Sequence, residues 1–139
     1  MYKVSVVIPV FNAGEYIECC ARSLFEQTLD SIEYIFVNDC STDNSMDVLH
    51  KVLGEYPQRK EHVIVVNHTT NTGQSGARKD GMNIASGEYI IHCDADDWVD
   101  LEMYECMYNA CVENKAELAV CRYFSEYKDR TESGGTDSI

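Results

Sequence analysis

The chain has little positive charge. Eleven Lys and Arg stand against 24 Asp and Glu in 139 residues, for a net charge of −13 with His neutral. Duplex binding rests on basic side chains that neutralise phosphates, so nucleic acid is not an expected partner. An anionic membrane surface is disfavoured for the same reason. A phosphate-bearing ligand stays open only if something cationic sits between it and the acids. Long apolar runs are also missing. No stretch approaches the length of a membrane span. The run over 4–11 is short for a signal peptide and has no small-residue cleavage site behind it. The seven cysteines are odd in number and form no CxxC pair. A secreted disulfide scaffold would show an even count in a shorter chain. Most of these cysteines lie in apolar runs, where Cys behaves as a small hydrophobe. The expected compartment is reducing and cytoplasmic. No internal repeat and no clear linker is visible.

What is present reads as one globular domain, with a hydrophobic content of 45% that excludes disorder of the whole chain. The run over 4–10 is β-branched and nearly continuous in apolar residues, as in a strand buried on both faces. Similar runs over 32–37, 63–66 and 89–93 predict three more strands, and 118–124 predicts a fifth. Helical stripes lie between them. Ile17, Cys20, Ala21, Leu24 and Phe25 form one. Met46, Leu49, Val52, Leu53 and Tyr56 form a second. Ala77, Gly81, Ile84 and Ala85 form a weaker third, and Leu101, Tyr104, Tyr108, Cys111 and Val112 a fourth. Asn12 with Glu15 reads as a capping box for the first helix, and Ser41 and Thr42 as caps for the second. Alternation of strand and helix predicts an α/β fold with a mostly parallel sheet flanked by helices. Right-handed crossovers place every strand's carboxyl end on one edge, where ligands of such sheets bind. Residues 125–139 are polar and predict a poorly ordered tail.

The residues that follow the strands carry the chemistry. Asp94-Ala95-Asp96-Asp97 follows the fourth. Three close aspartates repel one another, and a hard divalent cation, Mn²⁺ or Mg²⁺, relieves that repulsion. The alternative is a solvated acidic turn in which Asp97 or Asp100 caps the next helix. An EF-hand is excluded, because Val99 stands where its turn needs glycine. Asp39 ends the second strand and either accepts from a uracil N–H or ribose hydroxyls, or caps a helix. Gly73-Gln-Ser-Gly76-Ala-Arg78-Lys79 opens the third helix and brings the one basic pair close to the edge. Arg78 either clamps a diphosphate or pairs with an aspartate. The first βα turn has Gly14 alone, so a dinucleotide fingerprint is absent, and no P-loop occurs. His50, His62, His68 and His92 show no metal spacing, and His92 reads as a core histidine. Trp98 either stacks on a sugar or packs the following helix.

Four segments occur in order: Val4-Ser-Val-Val-Ile-Pro-Val-Phe-Asn12, Phe36-Val-Asn-Asp-Cys-Ser-Thr-Asp-Asn-Ser45, Asn71-Thr-Gly-Gln-Ser-Gly-Ala-Arg78 and Gly87-Glu-Tyr-Ile-Ile-His-Cys-Asp-Ala-Asp-Asp97. Together, over about residues 3–124, they resemble the family 2 inverting glycosyltransferases with the GT-A fold. The resemblance implies a domain over 1–124 that binds a nucleotide-sugar, most often a UDP-sugar. The sugar passes to an acceptor hydroxyl on a carbohydrate or lipid-linked molecule, in cell-surface polysaccharide synthesis. It implies that Pro9, Val10, Phe11, Asn12 and Ala95 line the nucleotide. Glu15 then lies near the ribose or base, Asp39 reads the uracil, and Asp94 lies near the ribose. Arg78 contacts the diphosphate or orders Asp39, and Asp96 holds the metal. The family's general base lies past the fifth strand, beyond residue 139. The chain is therefore expected to be an N-terminal part that binds nucleotide and metal but transfers poorly alone. A non-catalytic nucleotide-binding module is the alternative.

Overall fold

Apolar continuity decides which strands lie at the centre. β1 (Val4–Val10) and β2 (Ile32–Asn38) pair in parallel, Val4 opposite Ile32 and Val10 opposite Asn38. All seven residues of β1 and the first six of β2 are buried. β3 (Val63–Asn67) pairs with β2 and β4 (Tyr89–His92) with β1, both in parallel. The order is β3-β2-β1-β4. β3 and β4 are edges of this sheet and only partly buried. The computed structural model describes residues 1–127 and 129–134. Its contacts divide the chain into two compact units, Met1–Glu105 and Cys106–Ile139.

Helices cover both faces of the sheet, as alternation of strand residues requires. On one face Phe25, the last residue of α1 (Ile17–Phe25), meets Tyr34 and Phe36 edge-on at 5.3 and 6.1 Å between ring centroids. On the other, Val7, Ile35 and Val37 pack with Ala77 of α3 (Gly73–Ile84). Gly81 lies on the same helix, and a Cβ there would run into Val7 and come within 3.3 Å of Val37. Glycine is what lets α3 lie this close to the sheet. Each fully buried aliphatic side chain in this double layer contributes roughly 1.5–3 kcal/mol. α2 (Ser45–Gly54) packs beside α1.

The remaining described elements are α4 (Met103–Asn114), β5 (Tyr123–Glu126) and β6 (Thr131–Gly134). The strand expected over 118–124 forms later in the chain, as β5, and pairs antiparallel with β6. Leu118 and Val120 are 76% and 58% exposed, so their apolar character is not matched by burial. The second unit offers β5 a chain reversal rather than a parallel partner. The tail expected from residue 125 overlaps this hairpin up to residue 134. Residue 128 and residues 135–139 lie outside the described residues. No described helix is long and apolar enough to cross a membrane.

The connections step outward from β1 to β2 to β3, then return past β1 to β4. The strand order therefore reverses between β1 and β4. A crevice opens outside the carboxyl ends at such a switch point. Both ends of this crevice carry candidate residues: Pro9 to Asn12 after β1 and Asp94 to Asp97 after β4.

Candidate functional site

Two residues in the left-handed region turn the chain at the site edge: Asn12 with φ +48° and Cys40 with φ +66°. Asn12 does not cap α1, whose N-cap is Tyr16 without a side-chain bond, so the expected capping box is not formed. Asn12 reaches across instead. Its Oδ1 accepts from the Thr42 N–H at 2.8 Å. The amides of Asn12, Ala13 and Gly14 donate in turn to Ser41 Oγ, Ser45 Oγ and Asp43 Oδ2, at 3.2, 2.8 and 2.9 Å. The loops after β1 and β2 are thus laced together. The Ser45 hydroxyl and the Gly14 amide hold the Asp43 carboxyl below its usual range against the effect of burial. Asp43 also accepts the Ser45 N–H at the start of α2, the place expected for Ser41 and Thr42. Three successive amides of this turn are thus already taken by side chains, unlike those of a phosphate-binding loop.

Asp39 lies at the end of β2 and is 2% exposed. Its Oδ1 accepts from Thr72 N–H at 2.8 Å, Thr72 Oγ at 2.9 Å and His68 Nδ1 at 2.9 Å. Its Oδ2 accepts from Gly73 N–H at 2.9 Å. Burial pushes this carboxyl upward, but the Thr72, His68 and Gly73 donors outweigh it and hold it below the ordinary range. Asp39 therefore caps a helix, but α3 rather than α2. Gly73 has φ +79°, a conformation that glycine adopts without strain.

The loop after β4 is anchored from behind. The thiols of Cys20 and Cys93 lie 4.0 Å apart, and each reaches the Asp94 carbonyl at 3.6 Å. The hydrogen bond to Cys93, and burial, push the Cys20 thiol far up and leave it protonated. The Asp97 N–H closes a turn onto the same carbonyl at 3.0 Å. In front, Asp94 Oδ1 accepts from Arg78 Nη2 at 2.8 Å and from Gln74 Nε2 at 2.9 Å. One carboxylate oxygen from each of Asp94, Asp96 and Asp97 falls within 4.8 Å of the others. Burial, with Asp96 and Asp94 beside it, pushes the Asp97 carboxyl above its usual range.

These parts frame a cleft of about 430 Å³, within the span typical of small-molecule sites. Pro9, Val10, Phe11, Asn12, Asp39, Asp94, Ala95 and Asp96 line it. Phe11 is 52% exposed and turns an apolar ring to the cleft. Glu15 is exposed and Arg78 lies behind Asp94; neither lines the cleft. Arg78 pairs with Asp94, and its Nε is buried without a hydrogen-bond partner. Tyr16, Asn71, Gly73 and Gln74 line the cleft too. His92 is exposed on edge strand β4, so the core reading of this histidine is corrected. Trp98 is 44% exposed. A larger cleft of about 650 Å³ lies by Phe25, Tyr56, Arg59 and Leu101. Its one buried cation, Arg59, is taken up by the carbonyls of Phe25, Gln27, Leu29 and Asp30. Arg59 closes the end of α1 and leaves no donor for a ligand.

A family model described as Glycosyl transferase family 2 matches residues 5–138. Poly(ribitol-phosphate) beta-glucosyltransferase of Bacillus spizizenii is 40% identical over 121 residues, covering 85% of this chain and 18% of that protein. The crystal structure of S. aureus TarS 1–349 in complex with UDP superposes with a TM-score of 0.73 at 27% identity, covering 81% of this chain and 33% of that one. The mannosyltransferase PcManGT from Pyrobaculum calidifontis, in complex with GDP-Man and Mn²⁺, gives 0.64 at 26% identity, covering 69% and 28%. The chain spans between 12% and 39% of the length of curated relatives it matches.

Proposed function

The chain belongs to glycosyl transferase family 2, and we propose that it binds the nucleotide-sugar donor, a UDP-sugar, for transfer to an acceptor hydroxyl. One observation carries this reading. A single cleft at the switch point joins a buried carboxylate encircled by donors to Asp94 and Asp96, two of three carboxylates that crowd one another. The first suits a neutral hydrogen-bond donor such as an imide N–H. The second suits a hard cation with oxygen preference, Mn²⁺ or Mg²⁺. Burial, together with the like charges of Asp96 and Asp94, pushes the Asp97 carboxyl upward, and a cation beside it would reverse that push.

In this reading Phe11 offers its ring to the base, Asp39 accepts from the base N–H, and Pro9, Val10, Asn12 and Ala95 shape the cleft wall. Asp94 faces the ribose, with one oxygen held by Arg78 and Gln74. Asp96 is the ligand for the cation, which supplies Lewis-acid stabilisation of the departing diphosphate. Arg78 would reach the diphosphate by leaving Asp94, with which it is paired behind the cleft wall. Glu15 is exposed next to Tyr16, a cleft residue, which supports its expected place near the ribose or base. Transfer would form a bond from the acceptor oxygen to the anomeric carbon, with the hydroxyl proton passing to a general base, while the bond to the diphosphate breaks on the opposite face, so configuration would invert. The acceptor is a carbohydrate or lipid-linked hydroxyl in a surface polymer. The relative that acts as a poly(ribitol-phosphate) beta-glucosyltransferase supports that class.

Calorimetry of UDP binding with and without Mn²⁺ tests the reading. UDP is expected to bind more tightly with the ion, and Asp96→Ala to erase the difference. Equal affinity in both conditions would remove the metal role of Asp96.

A further inference from the structure

We infer that His68 is a positioning residue for base recognition: it fixes which oxygen of Asp39 is left to meet the ligand. This rests on the reading of the cleft given above and extends it to a residue that does not line the cleft.

His68 directly follows β3, and its amide continues the ladder by donating to the Asn38 carbonyl at 2.9 Å. Its side chain is 12% exposed and spans two carboxylates. Nδ1 lies 2.9 Å from Asp39 Oδ1, and Nε2 lies 3.0 Å from Oδ2 of Asp80, a half-exposed residue of α3. The Thr72 hydroxyl lies 3.2 Å from Nδ1 as well, so ring, hydroxyl and carboxylate meet at one point. Asp39 thus has three of its four approaches, from Thr72 N–H, Thr72 Oγ and His68, on one oxygen. The other oxygen takes Gly73 N–H alone. Oδ1 is saturated, and Oδ2 keeps one acceptor position.

This asymmetry sets selectivity. A uracil ring presents an imide N–H, which Oδ2 accepts. A cytosine ring presents a bare nitrogen at the same place, which a carboxylate repels. Both Thr72 donors and the Gly73 donor come from the start of α3. His68 is the donor that comes from β3, so it resists rotation of the Asp39 carboxylate about its own bond. Asp80 holds the imidazole from behind, as an outer partner orients an inner one in other preorganised sites. A role confined to joining β3 to α3 would support the fold without favouring one base over another.

The test compares Kd for UDP and CDP in Mn²⁺ across the wild-type chain, His68→Ala, His68→Asn, His68→Gln and Asp80→Ala. Asn can place an N–H near the position of Nδ1, and Gln near that of Nε2. His68→Ala is expected to weaken UDP about tenfold, while CDP changes little, so the preference shrinks. His68→Asn is expected to keep most of the preference and His68→Gln to lose it. Asp80→Ala is expected to weaken UDP two- to threefold. A preference that survives His68→Ala overturns the inference. If that variant does not fold, equal preference in the Asn and Gln variants overturns it. A wild-type chain without preference between UDP and CDP defeats the uracil reading itself, and this inference with it.

Discussion

The ends of β2 and β4 both present aspartates on the same edge, and they are built in opposite ways. At the end of β2 one carboxylate collects four donors and becomes a stronger acid despite burial. At the end of β4 three carboxylates are pressed within reach of one another, and Asp97 becomes a weaker acid. The first is supplied with donors by the folded chain itself; the second, in the function proposed above, is completed by a divalent cation. One residue type is thus surrounded by donors in one place and crowded by its own kind in another. The difference lies in what the neighbouring segments donate.

The strongest challenge to this contrast is removal of Asp39. Asp39→Ala strands the Thr72 amide and takes one of two acceptors from the Gly73 amide, and is expected to lower unfolding free energy by about 1–3 kcal/mol, read by urea titration. Asp96→Ala is expected to leave stability within about 0.5 kcal/mol, because the residue is exposed. It should instead weaken UDP in Mn²⁺ on the order of 100-fold, since removing a ligand costs at least what removing its support does. Equal stability losses in the two variants would erase the distinction.

Acidity gives a smaller effect of opposite sign at the two ends. The folded pKa of Asp39 is depressed, so its contribution is present above the unfolded value of about 3.9 and is lost as pH falls through the folded one. The folded pKa of Asp97 is raised, so its ionisation costs stability above that value, and acid relieves the cost. Urea midpoints for Asp39→Asn and Asp97→Asn between pH 3 and pH 7 should show this. Asp97→Asn should be more stable than wild type at pH 7, and the gap should close in acid or on adding Mn²⁺. The smallest effect concerns Gln74, an exposed donor to Asp94. Gln74→Ala should change UDP affinity less than about threefold, because water replaces the bond. A larger loss would mean that the β4 end is also fixed by donors.

The four strands of the main sheet and the edge that bears the site were legible because β-branched runs and periodicity are local signals. The caps were not. The spacing of Asn12 and Glu15 fits a capping box, yet Asn12 bonds to Thr42, 30 residues away. Asp39 was placed correctly at a strand end, but its capping partner is α3, reached through the sheet order rather than through sequence distance. Of the candidates for the α2 cap, Ser41, Thr42 and Asp43, it is Asp43 that takes the Ser45 N–H, while the parts played by Ser45, Thr72 and His68 depend on partners distant in sequence. His68 was weighed for metal spacing alone, whereas the signal that could have found it was its place immediately after β3. The strand expected over 118–124 failed because apolar content without a partner strand does not choose a register.

The lacing of the first two loops has a thermodynamic consequence. Four bonds across about 30 residues fix the backbone beside Phe11 and Asp39 before any ligand arrives. The configurational entropy of that wall is already lost when the chain folds. Binding a base there should therefore register as favourable heat with little entropic opposition, whereas filling the aspartate cluster should be driven by release of ordered water.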